Sequence, residues 1–357
     1  MKKHLALVLV LAAAALLLIS GCTTPGGPAG ESQADSGHSA VLESSGENDS
    51  LAEPEEESAM EPKLPSIIEL SGENYFPDGI AAREDGTLYV GSMWGGKIDI
   101  VPSGSGKSVS FVPPEAEGRT ALGLLVDEKN GLLWAVFWDY QGFMSIPAQL
   151  KSFDLETGEL VELYEFPEGA IGNDLTMDGD GNIYITCSFT HSIFRLEAGG
   201  SALEVWSDDP AFSEGHQEGW TLNGIDWDGN SSLFLSRTDN DGIYRVSINE
   251  DGSAGEVERI IVEGNLSNMG YDGIAALGPD TILVSEYGTN RLTMISVNGS
   301  TGTKQVIDDE LDFPTNVVVV GDGAWVVESQ IDHMLYADTA GQPEEPFTLR
   351  YVGLPQN

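Results

Sequence analysis

Positive charge is what this chain lacks most: 16 Lys and Arg stand against 58 Asp and Glu, a formal net charge of −42. Such a surface repels phosphate backbones and anionic headgroups, which argues against nucleic acid as a partner and against peripheral electrostatic attachment to a membrane. It attracts cations, but a solvated acidic surface suited to salty surroundings is the simpler explanation of the excess. No apolar run reaches the roughly 20 residues a spanning helix needs. The run from Leu5 to Ile19 follows Lys2 and Lys3 and reads as an export signal. Large apolar residues then almost vanish between Thr23 and Leu64, a stretch rich in Pro, Gly, Ser and Glu. Unable to bury enough surface to offset its ordering entropy, it is expected to be a disordered tether with a mean reach of roughly 35 Å.

Cysteine is nearly absent too, with only Cys22 and Cys187. The residues Ile19-Ser20-Gly21-Cys22 resemble the lipobox of prokaryotic lipoproteins, which implies cleavage after residue 21 and lipid on the Cys22 sulfur. The protein is therefore expected on the outer face of a prokaryotic membrane, touching it through a lipid anchor only. Cys187 then has no disulfide partner within the chain and reads as a small buried hydrophobe. A nucleophilic role would need a basic partner, and His191 at four residues' distance does not establish one. Four Asn-X-Ser sequons, at Asn48, Asn230, Asn265 and Asn298, matter only in a host that glycosylates exported proteins.

What is present is a repeat. The pattern of IGNDLTMDGDGNIYIT returns at six places whose leading residues are Asp78, Leu122, Asn173, Asn223, Asp272 and Thr315. Their spacings of 44, 51, 50, 49 and 43 residues fall in the range of propeller blades. Each unit runs from its leading residue into a short strand, such as Gly79 to Ala82. An Asp/Gly/Asn turn supplying positive φ follows, then a second strand such as Leu88 to Gly91, then a third. An all-β, six-bladed β-propeller is expected over 65–357, after a signal peptide (1–21) and the lipidated, acidic linker (22–64), with the leading residues at one height around the central channel.

Carboxylate and amide oxygens suit a hard cation, and Asp78, Asn173, Asn223 and Asp272 would converge once the ring closes. Two Asp and two Asn sum to minus two, which would neutralise Ca²⁺ or another divalent ion and leave positions for water or substrate. Taken singly, each is also an ordinary turn residue before a strand. The motifs FPDGIAAREDGTLYVGS, IGNDLTMDGDGNIYIT, LNGIDWDGN, YDGIAALGPDTILVS and FPTNVVVV together resemble the calcium-dependent six-bladed propellers of the regucalcin and gluconolactonase family, whose relatives include diisopropylfluorophosphatase and paraoxonase. The resemblance spans Ile67 to about Tyr351. It implies a channel metal held by Asn173, Asn223, Asp272 and a first-blade carboxylate. That last ligand is usually Glu; here it is the shorter Asp78. It also implies metal-assisted hydrolysis of a lactone or related ester, with Asp272 as general base and Asn173 and Asn223 orienting substrate.

The rival is a non-catalytic binding propeller with a structural calcium ion, engaging a sugar, a peptide or an envelope protein. A quinone-cofactor dehydrogenase would ask for a larger propeller and more basic residues. Small-molecule substrate and a monomeric state are the expectation. Glu286 and Arg237, at the ends of second strands, read as surface ion-pair members. His216 and Trp220 lie in an insertion before Asn223, and Trp94, Trp134 and Trp138 read as inter-sheet packing.

Overall fold

The computed structural model describes residues 65–114, 119–139, 147–216, 219–264, 270–335 and 341–355; the export signal, Cys22 and the acidic linker lie outside them. Twenty-four strands and almost no helix make the described chain all-β. Five consecutive groups of four strands each run antiparallel in chain order, beginning with β2 (Pro77–Ala82), β6 (Arg119–Asp127), β10 (Gly172–Met177), β14 (Leu222–Trp227) and β18 (Tyr271–Gly278). The sixth group begins with β22 (Pro314–Val320) and continues through β23 (Gly323–Glu328) and β24 (Thr348–Gly353). Its fourth strand comes from the other end of the molecule: β1 (Ile67–Glu69) pairs antiparallel with β24, Ile67 opposite Arg350. Sequence periodicity could not announce this, because a three-residue strand carries no pattern and its partner lies hundreds of residues away.

The six first strands lie side by side and close on themselves, β22 returning to β2. A cavity of about 280 Å³ is lined by residues of all six, among them Ile80, Leu124, Leu175, Ile225, Ile274 and Val317. This is the central channel. Neighbouring sheets bury apolar faces on one another, as where Trp134, Val136, Ile183 and Ile185 join one core and Phe234, Ile243, Ile274 and Ile282 another. The fourth and fifth groups along the chain differ in how they are joined. Ile261 and Val262 of one outermost strand pair in parallel with Thr301 and Gly302 of the next, which fuses two groups into one eight-stranded sheet.

The hairpins form where the turn chemistry requires them. Asp178 accepts the backbone N–H groups of Asp180 and Asn182 at 3.0 and 2.9 Å, and Gly181 takes φ 90°. Asp228 repeats this with Asn230 and Ser232 at 2.8 and 3.0 Å. An Asp carboxylate that satisfies two loop donors, followed by a glycine free to go left-handed, sets a tight reversal between two apolar strands. The second strands are accordingly buried along nearly their whole length, and Ile183–Cys187 throughout.

Candidate functional site

Each first strand carries a β-bulge at the same place. Pairing in β2 jumps from Pro77–Ser92 to Ile80–Val90, three residues against two, and the same irregularity falls between Ala121 and Leu124, Gly172 and Leu175, Leu222 and Ile225, Tyr271 and Ile274, and Pro314 and Val317. All six leading residues lie inside these bulges. They are therefore not merely at the strand mouths. The extra residue breaks the alternation of the strand and re-aims the side chain beside it. In four of the six bulges the next residue is glycine, because the neighbouring backbone lies against it. A Cβ on Gly79 would stand 2.0 Å from the Leu122 carbonyl oxygen, and one on Gly224 would stand 2.4 Å from that of Asp272. Asp174 and Asn316 occupy the other two positions, filling the space left free by Gly123 and Gly273 respectively.

Hydroxyls facing the bulges fasten one sheet to the next. Thr186 donates to the Asn223 carbonyl, Ser236 to that of Asp272 at 2.5 Å, and Ser285 to that of Thr315 at 2.8 Å. The signal was present in the sequence, a small hydroxyl after IYI, LFL and ILV, but it gains meaning only once the bulges are known. Replacing Ser285, which is fully buried, with Ala leaves the Thr315 carbonyl without this donor. The expected cost is about 1–2 kcal/mol, read as a lower denaturant midpoint at unchanged slope; an unchanged midpoint would show the fastening to be idle.

The leading residues meet as follows. Asp78 and Asp272 are partly exposed, yet neither forms an ion pair among the described residues. Burial pushes the Asp78 carboxyl up to about 7, opposed by a hydrogen bond from the Thr315 side chain. Burial also raises Asp272 well above the usual range, and the charges of Asp78 and Asp174 add to the shift, while a hydrogen bond from the Asn223 side chain opposes it. Asp174, which was not foreseen, is itself pushed up to about 7, by burial first and then by Asp78 and Asp226. Asp272 thus lies within electrostatic reach of Asp78 and of the Asn223 side chain. Asn173 occupies the equivalent bulge and donates from Nδ2 to Ser188 Oγ at 3.1 Å. Among the described residues no group of three or more His, Cys, Asp or Glu is arranged around a metal; the set of interest contains only two such residues and two amides.

Glu286 and Arg237 require correction. Both are fully buried, not surface members. The Arg237 guanidinium grips Asp239 at 2.6 and 2.9 Å, and Glu286 meets Lys304 at 2.6 Å and Thr289 at 2.7 Å. They remain ion-pair members, but of a kind whose loss on one side leaves a buried charge. His216 pairs with Asp239 at 2.7 Å and stacks edge-on against His191. Cys187 is buried, and desolvation raises its thiol pKa, consistent with an inert side chain. Trp134 and Trp138 are buried within the inter-sheet core. Trp220 packs edge-on to Trp138 and against Phe189. Together with Trp94, Tyr287 and Phe313, the last two stacked at 4.8 Å, these half-buried rings lie in loops at the end of the sheets that carries the leading residues.

A closed ring of antiparallel sheets whose first strands carry Asp78, Asn173, Asn223 and Asp272 in equivalent bulges is a propeller-like fold. The chain matches the SMP-30/gluconolactonase/LRE-like region over residues 76–324, well over half its length, and it belongs to that family. No curated protein matches it. Among solved structures it is similar to the Malassezia sympodialis allergen Mala s 1, at 16% identity and a TM-score of 0.61, covering 81% of this chain and 96% of that one. A gluconolactonase from Xanthomonas campestris aligns at 16% identity and TM-score 0.59, covering 81% and 89%. The PQQ-bound aldose sugar dehydrogenase of Streptomyces coelicolor aligns at 16% and 0.55, covering 82% and 99%. At such identities the likeness is one of fold.

Proposed function

We propose that this protein is an exported, lipid-anchored six-bladed propeller that hydrolyses a lactone or related ester, with a divalent cation held by Asp78, Asn173, Asn223 and Asp272. The observation that carries the reading is the donor set itself. Two carboxylates repel one another in an enclosed place with no ion-pair partner among the described residues, and two amides stand beside them in equivalent bulges. Uncompensated like charges of this kind are costly, and hard-oxygen ligands with a summed charge of minus two suit calcium. When bound, such an ion supplies positive charge for polarising a carbonyl oxygen and for acidifying water.

The chain's own residues do the rest. Asp272 is the proposed general base, a carboxylate carried in the bulge of a first strand and placed to take a proton from water. The Thr238 hydroxyl receives Nδ2 of Asn223 at 3.0 Å and steadies that amide beside Asp272. The half-buried rings of Trp94, Phe189, Trp220, Tyr287 and Phe313 offer an apolar flank for a ring-shaped or aryl substrate. Outside the membrane, Cys22 as anchor and 22–64 as tether would hold the head clear of the surface.

The test is turnover of lactones and aryl esters before and after chelation. At least one class should be hydrolysed, with a loss of more than about a hundredfold on chelation and recovery with calcium. Turnover indifferent to chelator contradicts the reading. Cation binding without turnover of either class leaves the binding propeller in its place.

A further inference from the structure

The two amides of the site could each present either an oxygen or a nitrogen, and which they present decides whether the site attracts or repels a cation. The surrounding hydrogen bonds fix the choice. Ser188 Oγ donates its only proton to the Leu222 carbonyl at 2.6 Å. Its contact with Asn173, at 3.1 Å, can then be made only by a donor, so Nδ2 faces Ser188. Thr238 repeats the logic one sheet further on. Its hydroxyl donates to the Tyr271 carbonyl at 2.8 Å and so receives Nδ2 of Asn223 at 3.0 Å. With Nδ2 committed to Thr238, Oδ1 of Asn223 is the atom left over.

We infer that Ser188 and Thr238 are positioning residues: each holds the nitrogen of an axial amide away from the cation, leaving Asn173 Oδ1 and Asn223 Oδ1 as the cation's ligands. The inference rests on the functional reading given above and deepens it. Each hydroxyl acts twice. Leu222 immediately precedes Asn223, and Tyr271 immediately precedes Asp272. The same proton that fixes the polarity of one amide therefore anchors the backbone from which the next ligand projects. A chain of support runs from Asn173 through Ser188 to the bulge of Asn223, and from there through Thr238 to the bulge of Asp272. Ser188 is fully buried, Thr238 is half-buried, and neither is a ligand itself.

Removing either hydroxyl frees an amide to turn its N–H₂ group inward, where two donors would face a cation. Losses of about 10- to 100-fold in metal affinity are usual when a residue that orients a ligand is removed. The experiment is calorimetric titration of the full chain with calcium, comparing wild type with Ser188→Ala, Thr238→Val and the conservative pair Ser188→Thr and Thr238→Ser. Ser188→Ala and Thr238→Val should each bind calcium at least about tenfold more weakly. The conservative variants should restore it to within about threefold, which a merely structural contribution to folding would not arrange. A second readout is the side-chain amide NMR signal of Asn173, which should shift and exchange faster in Ser188→Ala even without cation. Calcium affinity equal to wild type in both hydroxyl-free variants overturns this inference alone. A wild-type chain that binds no calcium overturns the functional reading and this inference with it.

Discussion

Replacing Asp272 with Asn should make the cation-free chain more stable at pH 8, although it removes a residue at the heart of the site. Asp78 and Asp272 have folded-state pKa values above the ordinary carboxylate value, Asp78 near 7. In the unfolded chain they ionise at about 4. From about pH 4 upward the folded state therefore binds more protons than the unfolded state, and stability falls as pH rises through the folded pKa values, near 7 for Asp78. The contribution is present at low pH and absent at high pH, the reverse of a salt-bridged carboxylate. A shift of the size seen at Asp78 corresponds to roughly 4 kcal/mol at about 1.4 kcal/mol per unit, and partial exposure of the pair reduces this to about 2 kcal/mol.

Asp272→Asn removes one ionisable group, the one that burial and the Asp78 charge both raise. The metal-free variant should melt roughly 5 °C above wild type at pH 8 and close to it at pH 5. Asp180→Asn, an exposed carboxylate in a hairpin, controls for the general relief of a net charge of −42 and should move little. With millimolar calcium the order reverses, because only the wild type gains the linkage stabilisation of a bound ion. A variant that melts lower than wild type at pH 8 without cation would show that the two carboxylates are not uncompensated. A variant that melts higher, as expected, shows function maintained at the expense of stability where charges are gathered for a ligand.

Gly79→Ala should be among the most damaging single substitutions in the chain. The new methyl would lie 2.0 Å from the Leu122 carbonyl oxygen, with the Leu122 carbonyl carbon at 2.8 Å. Both obstacles are backbone of an adjacent first strand, so no side-chain rotation relieves them. The ring would have to open at that interface or the bulge would have to straighten, and either change displaces Asp78. A loss of about 3 kcal/mol or more is expected, measured as denaturant midpoint, together with loss of calcium binding. Gly104→Ala makes the comparison. Nothing lies within 4 Å of its added Cβ, and it pays only for its positive φ of 74°. Equal effects at the two positions would contradict the role given to the bulge glycines.

Much of the architecture was readable because it repeats. The spacing of Asp78, Leu122, Asn173, Asn223, Asp272 and Thr315 located all six first strands, and Asp-Gly and Gly-Asn pairs located their hairpins. The outermost strands were harder, since one of them, Leu160–Glu165, is exposed along nearly its whole length and has no apolar alternation to betray it. Closure by Ile67–Glu69 was invisible because it joins distant ends of the fold. At the site, the identities of the oxygen-bearing residues could be read, but not the bulges that aim them or the hydroxyls that hold them, which depend on contacts between sheets. Arg237 and Glu286 were misread for the same reason. A charge at a strand end looks solvated until Asp239 and Lys304 are seen beside it.

The central claim is that residues from separate sheets together hold one doubly charged ion on the axis. Equilibrium dialysis of the chelated full chain against calcium, followed by elemental analysis, tests it directly. The account predicts one tightly held ion per chain, lost in Asp272→Asn and in Asp78→Ala, with affinity rising as pH climbs from 5 to 8. A chain that retains no ion, or a bound ion indifferent to both substitutions, would contradict it.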